Sequence, residues 1–301
     1  MTSARQLSGE PVAAALREAV AERARRLSDQ GTTPTLGTVL ASDDPADVRF
    51  LELKHEAAAE LGLRTRDVRV DPASPDGLPA AVRRLGGEDD VDGVFVQAPL
   101  PPGADEHAVR GAVPPSKDVD AFHPETLGRL VAGDPRYVPA TPAAVLRLLA
   151  HYDVPTAGRD VTVVGRSTVI GRPLANLLLR RAEPGNATVT VCHSRTRDLG
   201  AKTRAADVVV TAAGRPGLVD GSMLSPGATV VDVSATRTTD GGEVSYVGDV
   251  EASSAAEVVE AITPVPGGVG PVTVAALLSN VVLAAERRAD GVEPAEGGWL
   301  P

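Results

Sequence analysis

Short apolar runs alternate with amphipathic stretches along this 301-residue chain. Residues 9–28, with Pro11 near their start and Leu27 near their end, carry apolar side chains at helical spacing and predict an amphipathic helix. Thr35–Leu40 is a run of strand formers. Asp43-Asp44-Pro45 reads as a turn, and Pro45 opens a second helix to about Leu61 that places Phe50 and Lys54 on one face. Arg64–Val70 predicts a second strand and Leu78–Leu85 a helix. Gly93–Gln97 predicts a third strand that ends in Ala98-Pro99-Leu100-Pro101-Pro102. Strands alternating with helices imply a mostly parallel sheet covered on both faces. Polar residues at strand ends, such as Gln97, then become candidates for a binding cleft.

The segment Pro114–Pro124 is too rich in proline and charge to form an element, and is expected to be a loop. A helix starting at Thr141-Pro142, with Val145, Leu148, Leu149 and Tyr152 at helical spacing, reads as a connector into a second domain. Strands are expected from Val161, over 187–193, over 206–214 and over 228–233, and a helix over about 255–261. A Gly/Pro-rich loop over 262–273 precedes a long apolar helix, about 273–288, and the residues from Asp290 on read as a frayed tail. No internal repeat of fixed period occurs.

The most informative stretch is Val161–Pro173. Four strand formers run into Gly165, and Leu174–Leu179 reads as a helix beyond Pro173. Strand, glycine turn and helix together form the arrangement that holds a pyrophosphate on backbone N–H groups at a helix N-terminus. The spacing is Gly-x-Ser-x-x-x-Gly-x-Pro rather than Gly-x-Gly-x-x-Gly, so by itself it also fits an ordinary turn in an α/β protein.

Composition narrows the choice. The length suits one large or two medium domains. Aromatic residues make up only 2%, so the core must be built from Val, Leu and Ala. A formal net charge of −10 argues against nucleic-acid binding through a basic surface while leaving room for a local basic pocket. The single cysteine, Cys192, excludes an intramolecular disulfide framework and suits a reducing cytosol. No apolar run reads as a membrane span, and Met1–Arg5 lacks the apolar core of a secretory signal, so a cytoplasmic protein with no membrane partner is expected. His55, His107, His123, His151 and His193 are scattered, with no metal-ligand spacing, and no metal is expected.

Four motifs taken together carry a resemblance: Val164-Gly165-Arg166-Ser167, Cys192-His193-Ser194-Arg195-Thr196, Lys117-Asp118-Val119-Asp120, and Ile262–Thr273 with its Pro-Gly-Gly-Val-Gly-Pro core. In order and over nearly the whole chain, they resemble the methylenetetrahydrofolate dehydrogenase/cyclohydrolase family. The resemblance implies an α/β protein of two domains with a cleft between them. A three-layer folate-binding domain would take residues 1–141 and 271–301, and a Rossmann-like NADP-binding domain residues 142–270. It also implies a homodimer formed through the nucleotide-binding domain. The implied reactions are NADP-dependent oxidation of 5,10-methylenetetrahydrofolate to the methenyl form, then hydrolysis to 10-formyltetrahydrofolate.

Hydride loss from the methylene carbon leaves a cation stabilised by two flanking nitrogens, so that step asks chiefly for placement. Hydrolysis needs a base for water and a proton for ring opening. The resemblance assigns the base to Lys54, its orientation to Gln97, and the pterin amino edge to Asp120. On the residues alone, these also read as a solvated helix lysine, a strand-end amide and a turn-capping acid. Asp118 reads as structural. Phe50, Gly267, Gly268 and Pro271 would lie against the folate, the glycines and proline letting backbone approach folate and nicotinamide. Gly165, Arg166, Ser167 and Gly171 would face phosphates. Arg166, Ser194 and Arg195 lie where a 2′-phosphate would sit, and no acidic residue stands at that strand end, which favours NADP over NAD; a surface arginine is the plainer reading of Arg195. Thr141, Ala213, Gly214 and Ala235 would flank the nicotinamide ribose.

The chain departs from the family pattern at several of these places. Phe50 stands where a tyrosine is usual, so a phenol is lost. Ala121 replaces a glycine, Ala140 a cysteine, Glu56 a basic residue, and Ser234-Ala235-Thr236 a Gly-Ile-Asn. A carboxylate at Glu56 that paired with a lysine would weaken it as a base. The hydrolytic step is therefore the more exposed of the two. A dehydrogenase-only or specialised paralogue, and a non-catalytic NADP-binding protein, stand as alternatives.

Overall fold

The computed structural model describes residues 4–240 and 243–290. In chain order its elements begin with β1 (Arg5–Gln6), α1 (Gly9–Asp29), β2 (Thr35–Leu40), α2 (Pro45–Glu60), β3 (Arg64–Arg69), α3 (Leu78–Gly86), β4 (Gly93–Val96), α4 (Glu106–Arg110), α5 (Pro124–Ala132) and α6 (Ala140–His151). They continue with β5 (Asp160–Val164), α7 (Gly171–Leu178), β6 (Thr188–Cys192), α8 (Leu199–Arg204), β7 (Val208–Thr211), β8 (Thr229–Asp232), β9 (Thr236–Asp240), β10 (Glu243–Val247), α9 (Ala252–Ala256), β11 (Ala261–Ile262) and α10 (Val269–Asp290). The chain divides into two compact units, one from Ala15–Ala140 with the segment from Val274 on, the other from the N-terminal segment through Ala14 with Thr141–Thr273.

The first unit is built on a three-stranded parallel sheet in the order β3-β2-β4. The central β2, buried along its whole length, pairs on both sides, whereas β3 is an edge whose charged side chains face water. Charge on an exposed edge discourages pairing with another chain. The strongly amphipathic α3 buries Leu78, Val82 and Leu85 against Val39, Val91 and Val94. Asp44 starts α2 by accepting from the Ala46 N–H at 2.8 Å, and Pro45 occupies a first-turn position whose missing N–H costs nothing. The C-terminal part of α10 is fastened to this unit. Asn280 donates to the Val119 and Val138 carbonyls at 2.7 and 2.9 Å, Arg288 pairs with the buried Asp92 at 2.6 Å, and Glu286 pairs with Arg23 at 2.6 Å.

The second unit holds a six-stranded, wholly parallel sheet in the order β1-β11-β8-β7-β5-β6. Buried Val164, Val209, Val230 and Ile262 share its core. The chain leaves β5 for β6 on one side and returns to β7 on the other, so the strand order reverses beside β5. In doubly wound sheets such a reversal opens a crevice at the C-terminal strand ends.

Several expectations are corrected. The N-terminal segment was expected with the folate-binding domain, but β1 pairs with β11 and completes the six-stranded sheet. The helix expected over 255–261 runs over Ala252–Ala256, because the Glu251 carboxylate caps the N–H groups of Ser253 and Ser254. Helix α10 begins at Val269, inside the expected loop. Pro271 lies in its first turn, where a proline breaks no hydrogen bond. By length and composition α10 is also apolar enough to cross a membrane, contrary to the reading of the apolar runs, and 72% of its apolar window is buried within the protein. The short elements α4, α5, α8, β9 and β10 were not foreseen. The tail beyond Asp290 lies outside the described residues.

Candidate active site

In the first unit, Lys54 projects from the third turn of α2 and donates to Gln97 Oε1 at 3.1 Å and to the Phe50 carbonyl at 3.2 Å. Gln97 follows β4. Its backbone N–H bonds to the Val39 carbonyl at 2.9 Å, and its side-chain amide donates to the Ala98 carbonyl at 2.6 Å. The Phe95 ring lies 5.0 Å from Lys54 Nζ, a contact the sequence reading missed. An apolar residue in a buried strand reads as core, and Phe95 is indeed 8% exposed.

Burial pulls the Lys54 ammonium below its ordinary pKa, and the Asp120 carboxylate opposes this. The one charge that bears on Lys54 is thus negative, and it is burial that lowers the ammonium. Asp120 itself is raised to about 7, first by burial and then by the charge of Asp118, with Lys54, the Ala140 N–H and Arg110 pulling the other way. Asp118 is buried, and its carboxylate accepts from the N–H groups of Phe122 and His123 at 3.0 and 2.8 Å. It thus closes the turn on which Asp120 sits. Ala121, next in that turn, holds a left-handed φ of 57°, a conformation that glycine adopts without strain.

Two of the departures are resolved. Glu56 pairs with Arg49 at 2.7 Å on the outer face of α2 rather than with Lys54. Phe50 is 40% exposed one turn before Lys54 and offers only an apolar ring beside it.

In the second unit, residues of the candidate cofactor site follow the C-terminal ends of four adjacent strands. Gly165, Arg166 and Ser167 follow β5; Ser194 and Arg195 follow β6; Ala213 and Gly214 follow β7; Ala235 follows β8. Gly165 has a φ of 138°, and a Cβ there would sit 2.4 Å from the Ala212 carbonyl oxygen. A Cβ on Gly171 would sit 2.2 Å from the Gly165 carbonyl oxygen, so the turn and the start of α7 close only around two glycines. Ser167 Oγ accepts from the Ile170 N–H at 3.0 Å and fixes the turn into α7.

Beyond β6, the His193 N–H donates to Thr196 Oγ1 at 2.8 Å and the Arg195 N–H to His193 Nδ1 at 3.1 Å. That tight turn leaves Ser194 and Arg195 exposed. Among the described residues no carboxylate pairs with Arg166 or Arg195. Two unpaired guanidinium groups beside a glycine turn suit phosphate. Asp198, the next acid along the chain from Arg195, is engaged at the start of α8, accepting from the Ala201 N–H at 2.9 Å. The donor set therefore fits a 2′-phosphorylated dinucleotide.

Thr141 is half-buried at the start of α6. In the Gly/Pro loop, Gly267 has a φ of 100° with open space around it, and its carbonyl accepts from the Gly9 N–H at 2.8 Å. Gly268 is buried, and its close approach is to Pro264 and Gly9. Pro271 is half-buried in the first turn of α10.

Comparison with known proteins bears on the whole chain. The catalytic-domain model of tetrahydrofolate dehydrogenase/cyclohydrolase matches residues 7–120, and its NAD(P)-binding-domain model matches residues 139–289. This chain belongs to the tetrahydrofolate dehydrogenase/cyclohydrolase family. Within that family it is 50% identical to the bifunctional protein FolD of Natronomonas pharaonis over 287 residues, covering 94% of this chain and 97% of the relative. It is 48% identical to the FolD of Haloquadratum walsbyi, covering 94% and 91%. The fold matches the methylenetetrahydrofolate dehydrogenase-cyclohydrolase of Trypanosoma brucei, solved with NADP cofactor and inhibitor, at 37% identity and a TM-score of 0.90, covering 96% and 99%. It also matches the FolD enzyme of Campylobacter jejuni at 36% identity and a TM-score of 0.89, covering 95% and 100%.

Proposed function

We propose that the protein oxidises 5,10-methylenetetrahydrofolate with NADP and hydrolyses the resulting methenyl compound to 10-formyltetrahydrofolate, with Lys54, Gln97 and Asp120 as its catalytic group. The observation that carries this reading is a partly buried lysine, its pKa lowered, bonded to Gln97 and coupled to Asp120. The identity to bifunctional relatives over nearly the whole chain supports it.

A neutral lysine amine has two N–H donors and one lone pair. Lys54 directs its N–H groups to Gln97 and to the Phe50 carbonyl, which leaves the lone pair free for the proton of an attacking water. Water adds to the cationic methenyl carbon as that proton passes to Nζ, leaving a hydroxyl on the carbon. The ammonium so formed returns its proton to the departing ring nitrogen as the carbon–nitrogen bond breaks, and the hydroxyl proton is released to water as the formyl carbonyl forms. Asp120, in its carboxylate form, accepts from the pterin amino edge, and Phe50 offers a ring face for stacking.

In the dehydrogenase step NADP accepts the hydride. The part of the chain is to hold the cofactor and exclude water. Gly165, Ser167 and Gly171 shape the pyrophosphate turn. Arg166, Ser194 and Arg195 take the 2′-phosphate. Thr141, Ala213, Gly214 and Ala235 flank the nicotinamide ribose, while Gly267, Gly268 and Pro271 shape the loop that borders it and the folate.

The test follows NADPH formation from methylenetetrahydrofolate and, separately, decay of methenyltetrahydrofolate absorbance. Both are expected, and absence of hydride transfer above background overturns the reading. The missing phenol at position 50 favours a second reading in which the cyclohydrolase step is slow relative to hydride transfer. Phe50→Tyr then raises the hydrolytic rate and leaves hydride transfer near its starting value; equal effects on both steps remove this reading.

The protein is further expected to act as a homodimer through the NADP-binding unit, in the cytoplasm. Strand β6 is an outer strand of the six-stranded sheet, and both Val191 on it and Leu179 after α7 are exposed. An unpaired apolar edge of this kind suits a second copy of the chain. Light scattering should give the mass of two chains, and Val191→Lys should return it to one.

A further inference from the structure

Three consecutive backbone N–H groups in the loop after β7 converge on the buried carboxylate of Asp249 and the half-buried hydroxyl of Ser234. Asp249 is fully buried. Its Oδ2 accepts from the Ala213 N–H at 2.6 Å, and its Oδ1 accepts from the Arg215 N–H at 2.6 Å. Between them, the Gly214 N–H donates to Ser234 Oγ at 3.2 Å, and the Ser234 hydroxyl in turn donates to Asp249 Oδ2 at 2.8 Å. A run of N–H groups curled around an anion is an ordinary binding concavity for phosphate or carboxylate. Here a carboxylate of the chain itself fills it, so these donors are engaged internally, and the exposed surface of the loop begins with the small Ala213 and Gly214 and continues through Arg215.

A second buried carboxylate supports the first. Asp232, at the end of β8, accepts from Thr211 Oγ1 at 2.9 Å, from the Ser234 N–H at 3.1 Å and from the Val250 N–H at 2.9 Å. Its own N–H donates to Thr263 Oγ1 at 2.8 Å. A Cβ on Gly248 would lie 1.9 Å from Asp232 Oδ2, so the carboxylate is packed directly against that backbone. Thr211 and Asp232 are register partners at the ends of β7 and β8. The network thus ties the ends of two adjacent strands to the loop that leaves β7. Stability alone does not require the arrangement. Apolar side chains of similar shape are commonly no worse than buried ionised groups, whereas charged donors and acceptors fix geometry.

We propose that Asp249 and Ser234 are positioning residues for the nicotinamide end of the dinucleotide, holding the Ala213–Arg215 backbone in the one form against which the cofactor's ribose packs. The inference rests on the placement of NADP proposed above. Neither residue touches substrate or cofactor; each acts through the loop. Ser234 is one of the positions where this chain departs from its family's pattern, so the hydroxyl link to Gly214 is a feature of this sequence.

The experiment measures KM and kcat of NADP reduction in full-length wild type, Ser234→Ala, Ser234→Thr and Asp249→Asn, with Kd for NADP by calorimetry and with Tm. Ser234→Ala should raise KM and Kd for NADP about tenfold, the size of one hydrogen bond to a charged group. The ratio of dehydrogenase activity at limiting NADP to cyclohydrolase activity should fall by the same factor. Ser234→Thr, which restores the hydroxyl, should recover most of the loss. Asp249→Asn should be worse, because its amide places an N–H against an N–H; if that variant does not fold, the serine pair carries the test. A lowered Tm with unchanged KM and Kd for NADP overturns the proposal, as does a parallel fall of both activities. Wild type that binds no NADP overturns the functional reading and this inference with it. Wild type that reduces NADP alongside variants that match it overturns this inference alone.

Discussion

Gln97 presents its carbonyl oxygen to Lys54 at 3.1 Å because its amide nitrogen donates to the Ala98 carbonyl. A backbone carbonyl can only accept, so the Ala98 contact fixes which end of the amide faces the lysine. Two variants separate the parts of this arrangement. Lys54→Met removes the proposed base, and methenyltetrahydrofolate hydrolysis should fall about 10²–10⁴-fold, the usual contribution of a positioned acid–base group, with a smaller loss in hydride transfer. Gln97→Glu turns a carboxylate toward the ammonium and raises the lysine's pKa. The acid limb of the cyclohydrolase pH profile should therefore move to higher pH, read by stopped-flow absorbance.

Asp120 and Lys54 titrate against each other, and the signs differ. The Asp120 carboxyl is raised from 3.8 to about 7 in the folded protein. Between those values the native state holds a proton that the unfolded chain has lost, so stability falls as pH rises through this window and levels above it. Lys54 is lowered from 10.5, so in the window just below 10.5 the unfolded chain holds the extra proton and stability rises with pH. Urea titrations should show that the decline from about pH 4 to pH 7 is largely removed in Asp120→Asn.

The same variant should lower the Lys54 pKa further, since the opposing carboxylate is gone. The chain has three lysines, Lys54, Lys117 and Lys202. Reductive methylation with ¹³C-formaldehyde therefore gives few enough NMR signals to follow each one. A Lys54 signal that titrates identically in both proteins contradicts the coupling.

Gly171 leaves no room for a side chain. The contact of a Cβ with the Gly165 carbonyl oxygen is against backbone, which cannot rotate away. Gly171→Ala should cost about 1–3 kcal/mol, the range for overpacking, measured as a fall in the urea midpoint at constant slope. Because the clash distorts the turn ahead of α7, NADP binding should weaken at the same time while hydrolysis of methenyltetrahydrofolate changes little.

Asn280 lies far along the sequence from the Asp120 turn and yet holds it. Its amide donates to Val119 and to Val138, on either side of Asp120 in the chain. Asn280→Leu leaves two buried carbonyls unpaired, at about 1–3 kcal/mol for each such group. Beyond the loss in denaturant stability, KM for the folate should rise with KM for NADP nearly unchanged. A variant that loses stability with both KM values intact would confine Asn280 to packing.

The elements legible in the sequence are those whose residues carry their own instructions. The valine runs of β5, β7 and β8 can only be buried strands, and Asp44-Pro45 marks the start of α2. Lys54, Gln97 and Asp120 were singled out through motifs at matched spacing, and the structure sets Lys54 against Gln97. What escaped depends on partners distant in sequence. Strands β1 and β11 are two residues each and exist only through pairing. Phe95 looks like any core residue until Lys54 is set over it. Asp249 sits in a short Gly-Asp-Val triplet ahead of α9, and only the fold shows three donors converging on it or on the Ser234 hydroxyl bonded to it. The shifted start of α9 was recoverable, since Glu251 ahead of two serines is a capping signal.

Because Arg5 and Gln6 lie beside Ala261 and Ile262, the outermost strand of the large sheet and its neighbour come from segments far apart along the chain. During synthesis β1 has no strand to pair with until β11 has emerged. Loop closure over so long a separation is slow. Removal of Arg5 and Gln6 would therefore leave the edge of β11 unpaired and the sheet one strand short.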